Sequence, residues 1–151
     1  MTIYLGTDHR GFNLKEQIKA LLKNQGYEVH DMGAEVLLQD DDYFDYAKAV
    51  AEKISADPEN SRGILFCSSG VGVDITANKF SRVRSALAMS PDHAMASRND
   101  DDANVLSLAV DFLDLEMVKR IVSVWLQTPF SGEERHKRRV EKLNNLDYTS
   151  H

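Results

Sequence analysis

The sequence predicts an α/β protein built on a parallel sheet with helices on both faces. Two observations predict it. Five short apolar runs alternate with stretches of ten or more residues whose apolar positions recur at helical spacing. Three of the runs end in small or polar residues, and ligands collect beyond the carboxyl ends of the strands in such sheets.

Thr2–Thr7 reads as the first strand, and residues 8–11 as the loop leaving it. Leu14, Ile18, Leu21 and Leu22 then mark one face of a helix that stops at Gly26. Tyr27–Met32 is the second strand, closed by Gly33, and the next ten residues read as an acidic, solvated loop around Asp40, Asp41 and Asp42. Tyr46, Ala47, Val50, Ala51 and Ile54 place a second helix over residues 43–54. Gly63–Phe66 is the third strand. It runs into a Gly/Ser-rich turn from Cys67, which leads to a segment with helical spacing up to Lys79. Arg84–Met89 reads as the fourth strand. Ser90 and Pro91 form an N-cap with proline at the first helical position, opening a helix that should end near Arg98. An acidic patch, Asp100–Asp102, leads to a fifth strand, Asn104–Leu108. Leu115–Leu126 is a long amphipathic helix, broken by residues 129–132, and a last helix covers Glu133–Leu146. No repeat or linker divides the chain, so residues 1–151 are expected to form one domain.

Composition narrows the function. A net charge of −6 and a pI near 5.3 argue against nucleic acid as a partner. One cysteine cannot close an internal disulfide, and no Cys/His cluster has zinc-ligand spacing. No signal peptide and no membrane-length apolar run are visible, so the expectation is a cytoplasmic protein with no membrane partner.

Asp8 and His9 follow the first strand, the Cys67 turn follows the third, and Ser90 follows the fourth. A parallel sheet therefore brings Asp8, His9 and Cys67 to one rim. The turn after Cys67 leaves several backbone N–H groups pointing into one small space, which suits a phosphate or a reaction oxyanion. It lacks the Gly-Lys-Ser/Thr ending of a P-loop, and Ile75 stands where a dinucleotide fingerprint needs its third glycine. Cys67 reads either as a small buried apolar residue or as a base that takes a carbon-bound proton, its thiolate favoured by the neighbouring N–H groups. Ser69 is a turn residue or a proton relay, and His9 a satisfied loop histidine or a phosphate or hydroxyl ligand. Arg135, His136, Lys137, Arg138 and Arg139 form a solvated basic face or a phosphate clamp.

The set Gly6–Gly11, Gly63–Gly72, Ala77–Lys79 and Ala103–Leu106, together with Arg135, His136 and Arg139, resembles the ribose-5-phosphate isomerase B family, which includes the galactose-6-phosphate isomerase subunits. The resemblance implies a three-layer Rossmann-like (flavodoxin-like) domain with a five-stranded sheet. It implies a dimer or tetramer with active sites shared between subunits, the last helix reaching the partner. The implied chemistry is cofactor-free and metal-free aldose–ketose isomerisation of a sugar phosphate through a cis-enediol(ate). By position, Cys67 would move the proton between C1 and C2, with Ser69 assisting at the oxygens. Backbone N–H groups of Ser68, Gly70, Val71, Gly72 and Val73 would hold the enediolate. Asp8, His9, Asp101 and Tyr43 would meet the substrate, with His9 also near the phosphate held by Arg135, His136 and Arg139.

Three acidic residues depart from the family pattern. Asp100 and Asp101 stand where ribose-5-phosphate isomerases carry a His-Asn pair, whose histidine opens the sugar ring, and Asp111 replaces an arginine that meets phosphate. The family's Asp-Tyr-Pro is also altered, to Asp42, Tyr43 and Phe44. Either Asp100 serves as ring-opener, with a proton held on it by Asp101 and Asp102, or the substrate cannot close a stable ring, as with a four-carbon aldose phosphate. A third expectation is a non-catalytic or hetero-oligomeric member that binds sugar phosphate.

Overall fold

The structure, a computed structural model, describes residues 1–34, 36 and 38–146, so the last five residues of the expected domain lie outside the described ones. Its elements are β1 (Thr2–Thr7), a 3-10 turn (His9–Gly11), α1 (Phe12–Asn24), β2 (Glu28–Asp31), α2 (Tyr43–Ala56), β3 (Ser61–Cys67), α3 (Val71–Ala77), β4 (Ser85–Leu87), α4 (Pro91–Asp101), β5 (Val105–Ala109), α5 (Leu115–Gln127) and α6 (Glu134–Asn144). Every predicted strand is present. The main difference in the elements is at α4, which continues past Arg98, so Asp100 and Asp101 belong to its last turn rather than to a linking patch. Asp102 closes that helix in the left-handed conformation, a cap position where aspartate is tolerated. Ser90 caps its start as expected, accepting the His93 N–H at 3.1 Å.

All strand pairs are parallel, in the order β2-β1-β3-β5-β4. The simplest flavodoxin-like order would place β4 beside β3; here β5 takes that place and β4 becomes the edge. Two consequences bear on the site. Ser90, which follows β4, is separated from the Cys67 turn by β5. Val110 and Asp111, which follow β5, adjoin it instead.

Alternation along the strands sorts the core into two layers. Ile3, Leu5, Ile64, Phe66, Leu106 and Leu108 face α1 and α5, where Ile18, Leu22, Val118, Ile121 and the only tryptophan, Trp125, are buried. Tyr4, Leu65, Cys67 and Val105 face α2 and α3 through Ala47, Val50, Ile54 and Val73. No described helix is long and apolar enough to cross a membrane.

A buried charge fixes the first crossover. Lys15 is fully buried; its Nζ donates to Asp31 Oδ2 at 2.7 Å and to the Ala34 carbonyl at 3.1 Å. Lys19 donates to the same Asp31 oxygen at 2.7 Å, and the Gly33 N–H reaches the other at 3.0 Å. Burial pushes the Asp31 carboxyl up, but the hydrogen bonds from Lys15, Lys19 and Gly33 outweigh it and leave it below its usual value.

The turn from β3 into α3 depends on Gly70, which has a φ of +73°. A Cβ there would lie 2.5 Å from Leu87 Cδ1 and 3.1 Å from both the Ala109 nitrogen and the Leu108 carbonyl carbon. Only glycine fits this conformation and this gap.

Two outcomes are expected. Asp31→Asn should lower stability by about 3 kcal/mol at pH 7, because it leaves buried Lys15 with a poor partner. The folded-state carboxyl lies below the ordinary value of 3.8, so its contribution is complete above that pH and lost below it; denaturant melts followed by Trp125 fluorescence should show the gap between the two proteins closing as pH falls below 3.8. Gly70→Ala should cost roughly 2–4 kcal/mol from left-handed strain plus overpacking, measured in the same melts.

Candidate active site

The chain leaves β1 for β2 on one side and later returns to β3 on the other, so the crevice between β1 and β3 is the topological switch point. Thr7 pairs with Phe66 at its base, and the Thr7 hydroxyl donates to the Phe66 carbonyl at 3.0 Å. Asp8 and Cys67 therefore emerge side by side.

Asp8 is 6% exposed and caps the 3-10 turn, accepting the Arg10 N–H at 3.0 Å. His9 is held twice by one oxygen, with the Asp41 Oδ1 2.8 Å from its Nδ1 and 3.0 Å from its backbone N. Asp41 is thus no solvated loop residue, as its acidic surroundings suggest. Its side chain is buried, and Asp42 caps α2 through the Phe44 N–H. Burial pushes the Asp41 carboxyl up, while hydrogen bonds from His9 win and hold it below the usual range. Ligand atoms of Asp8, His9 and Asp41 lie within 4.8 Å of one another. His9 takes Asp41 Oδ1 and the Arg10 N–H takes Asp8 Oδ1, while Asp41 Oδ2 is buried with no hydrogen-bond partner among the described residues.

Cys67 is 5% exposed, on the α2/α3 side of the sheet end. Burial is the largest influence on its thiol and the charge of Asp8 the next; both push it above the ordinary value, against smaller opposing hydrogen bonds from the Ser68 and Gly70 backbones. The resting group is therefore a thiol, which corrects the expectation of a favoured thiolate: the turn's N–H groups are present but do not offset desolvation beside a carboxylate. Its turn is anchored by β5, since the Val110 N–H donates to the Cys67 carbonyl at 2.9 Å and the Asp111 N–H to the Ser68 carbonyl at 3.0 Å. Ser69 is exposed and accepts the Val71 N–H at 3.3 Å. The first helical bond of α3 runs from Asp74 to Gly70, so the N–H groups of Val71, Gly72 and Val73 lie in the first turn, without intrahelical acceptors. Tyr43 covers them: a Cβ at Gly72 would sit 2.5 Å from the Tyr43 Cζ.

The underside of α3 is polar. Asp74 accepts from Ser85 at 2.6 Å, Ser85 lies 2.9 Å from Ser107, and Asn78 exchanges two bonds with the Ser85 backbone. Burial raises the Asp74 carboxyl, and the two serines only partly offset this. These bonds tie α3, and with it the turn, to β4 and β5.

The remaining predicted residues lie elsewhere. A helix that follows a strand in a parallel sheet runs back to the amino edge. There the Asp101 carbonyl accepts from Arg84 Nε at 3.1 Å, just before β4 begins. Asp100 accepts from Asn99 at 2.8 Å and stands 3.9 Å from His136 Nε2. His136 is 4% exposed, with its Nδ1 2.6 Å from the Ser131 hydroxyl. Arg135 pairs with Glu133 at 2.9 Å, and Arg139 is exposed on α6. Asp102 is turned to Arg98 at 2.7 Å and Arg84 at 3.1 Å, so its charge is neutralised locally instead of pressing on Asp100. The fold thus brings together Asp8, His9, Tyr43, Cys67, Ser68, Ser69, Gly70, Val71, Gly72 and Val73. It holds Asp100, Asp101, Arg135, His136 and Arg139 a strand's length away, about 15–20 Å. Asp41, Arg10 and Asp74 are contacts that sequence patterns miss. Each is set by a partner distant in the chain, with no local spacing to reveal it.

The model of the family described as Ribose/Galactose Isomerase matches residues 3–143. The chain is 40% identical over 145 residues to ribose-5-phosphate isomerase B of Escherichia coli strain K12, covering 96% of this chain and 95% of that protein. It superimposes on the crystal structure of ribose-5-phosphate isomerase B from Mycoplasma genitalium with bound ribulose 5-phosphate with a TM-score of 0.92, at 38% identity over 95% of this chain and 93% of that one. The enzyme of the same name from Clostridium thermocellum gives a TM-score of 0.90 at 39% identity over 95% of each chain. With a family match that runs from the first strand to the last helix, the chain belongs to the Ribose/Galactose Isomerase family.

Proposed function

We propose that the chain isomerises an aldose phosphate to a ketose phosphate through a cis-enediol(ate), with ribose 5-phosphate and ribulose 5-phosphate as the pair. The observation that carries the reading is a nearly buried cysteine at the switch point, beside the Asp8 carboxylate and at a turn whose Gly72 and Val73 N–H groups lie in the first turn of α3 without intrahelical acceptors. The relative from Mycoplasma genitalium holds ribulose 5-phosphate in its crystal structure.

In this reading Cys67, once deprotonated, removes the proton from C2 of the aldose and returns it to C1. Ser69 moves the proton between the two oxygens. The N–H groups of Ser68, Gly70, Val71, Gly72 and Val73 hold the enediolate where its charge develops. Asp8 and Tyr43 meet sugar hydroxyls, and His9, oriented by Asp41, faces the phosphate. No metal or cofactor takes part.

Asp100, Asp101, Arg135, His136 and Arg139 cannot reach the Cys67 of their own chain, so they serve that of a second copy. The active unit is a homodimer or a larger assembly of it, with Asp100 opening the ring, Asp101 meeting the substrate and the basic residues of α6 clamping the phosphate. Val71, Ile75, Met89 and Met95 expose apolar surface on α3 and near the start of α4, as an interface needs. The chain works in the cytoplasm, with neither nucleic acid nor membrane as partner. A second reading, in which a paralogous chain supplies the ring-opening group, is favoured by the acidic residues at 100 and 101.

Three measurements test this. Cys67→Ala should lower kcat by about 10²–10⁴-fold, and wild-type kcat/KM should climb with pH into the alkaline range, because the thiol lies above its ordinary value and only the thiolate is the base. Mixing Cys67→Ala chains with Arg139→Ala chains should restore activity through hybrid dimers carrying one intact site; no recovery despite subunit exchange would refute the shared site. Ribose 5-phosphate and erythrose 4-phosphate should be assayed side by side. Ring opening by Asp100 predicts that Asp100→Asn slows only the five-carbon substrate, and undiminished activity of that variant on ribose 5-phosphate would exclude the role. If the wild-type chain alone is inactive on pentose, tetrose and hexose phosphates, the reading with a paralogous partner takes its place.

A further inference from the structure

We propose that Arg10 is a phosphate-binding residue of this site, held across the Cys67 turn by Asp111 until the anionic group of the substrate takes the place of that carboxylate. The inference rests on the sugar-phosphate reading above and adds to it a cation from the same chain as Cys67.

The sheet order creates the arrangement. β1 and β5 flank β3, so Arg10, just after β1, and Asp111, just after β5, stand on opposite sides of the turn that leaves β3. Arg10 Nη2 donates to Asp111 Oδ2 at 2.6 Å, closing a bridge over Cys67 and Ser68. Both ends are anchored at the site: the Asp111 N–H donates to the Ser68 carbonyl, and the Arg10 N–H to Asp8. The hydrogen bond to Asp111, then its charge, strengthens the hold of the guanidinium on its protons, and Asp8 and Cys67 act in the same direction, so the cation lies within the field of the reacting thiol.

The charges around the mouth require such a cation. Asp8, Asp41 and Asp111 all present carboxylates here, and His9 is engaged by Asp41. The basic residues of α6 are at the other edge of the same chain. A phosphate approaching this turn from solvent therefore meets the Arg10 guanidinium, whose planar fork matches two phosphate oxygens. A purely structural strap is a poor account of the pair. Its side chains are 52% and 41% exposed, and exposed pairs add little to stability. The same exposure leaves the guanidinium free to exchange one anion for another.

The test uses inorganic phosphate, measured by calorimetry on the full-length chain and as a competitive inhibitor of ribose 5-phosphate turnover. Arg10→Ala should weaken phosphate binding roughly tenfold to a hundredfold, the loss of a charge-assisted hydrogen bond pair, with a matching rise in KM, and Arg10→Lys should recover part of it. Asp111→Asn separates this from a structural role. Freed from its carboxylate, Arg10 should bind phosphate at least as tightly as in the wild type, whereas a strap would make Asp111→Asn as damaging as Arg10→Ala. Unchanged phosphate affinity in a folded Arg10→Ala protein, or equal damage in both variants, would overturn the proposal. Loss of phosphate affinity in Arg10→Ala would uphold the Arg10 site even in a chain inactive on ribose 5-phosphate, an outcome that refutes the isomerase reading instead.

Discussion

Six consecutive residue pairs, from Thr2 with Ser61 to Thr7 with Phe66, lock β1 to β3, and the site depends on that ladder. Because both strands run the same way and end level, the residues just past their ends emerge at the same height. Asp8 and Cys67 are neighbours for this reason, although they lie far apart along the chain. Shifting the register by one residue would turn Cys67 to the other face of the sheet, away from α3 and its N–H groups. Ile3, Leu5, Ile64, Leu65 and Phe66 of this ladder are fully buried, so packing energy helps to hold the chemistry in position.

The electrostatics run against easy ionisation. Cys67 is desolvated and sits beside Asp8, and both effects oppose the thiolate. Asp41 is turned to His9 and Asp111 to Arg10, so both carboxylates are held by neighbouring donors. In the proposed reaction the thiol rests protonated, and the turn's N–H groups act on the oxygens that a bound substrate brings. That arrangement suits a reaction whose charge is greatest in the intermediate and small in the resting state.

In the proposed reaction, two edges of one sheet carry two half-sites. The carboxyl edge holds Asp8, Cys67 and the turn after it; the amino edge holds Asp100, His136 and the basic start of α6. The length of the strands keeps the two sets apart within a chain. A second copy is the simplest way to unite them, and this makes assembly part of the proposed chemistry rather than a separate property.

Alternating strands and helices, the N-cap at Ser90, the turn at Cys67 and the rim of Asp8 and His9 were all legible in the sequence, because each is a local pattern: a period of two or 3.6, or a residue type that one backbone conformation demands. Strand order was not legible, since parallel strands joined by helices can be laid side by side in more than one sequence. That order made β5 the neighbour of β3 and brought Asp111 to Arg10. The burial of Asp41, the raised thiol of Cys67 and the last turn of α4 at Asp100 were likewise decided by tertiary structure, because desolvation and ion pairing depend on which distant groups arrive in the same space. The sequence by itself determined the class of fold and most of the residues at the carboxyl edge; only packing decided which of them meet, which are desolvated, and which lie at the opposite edge of the sheet.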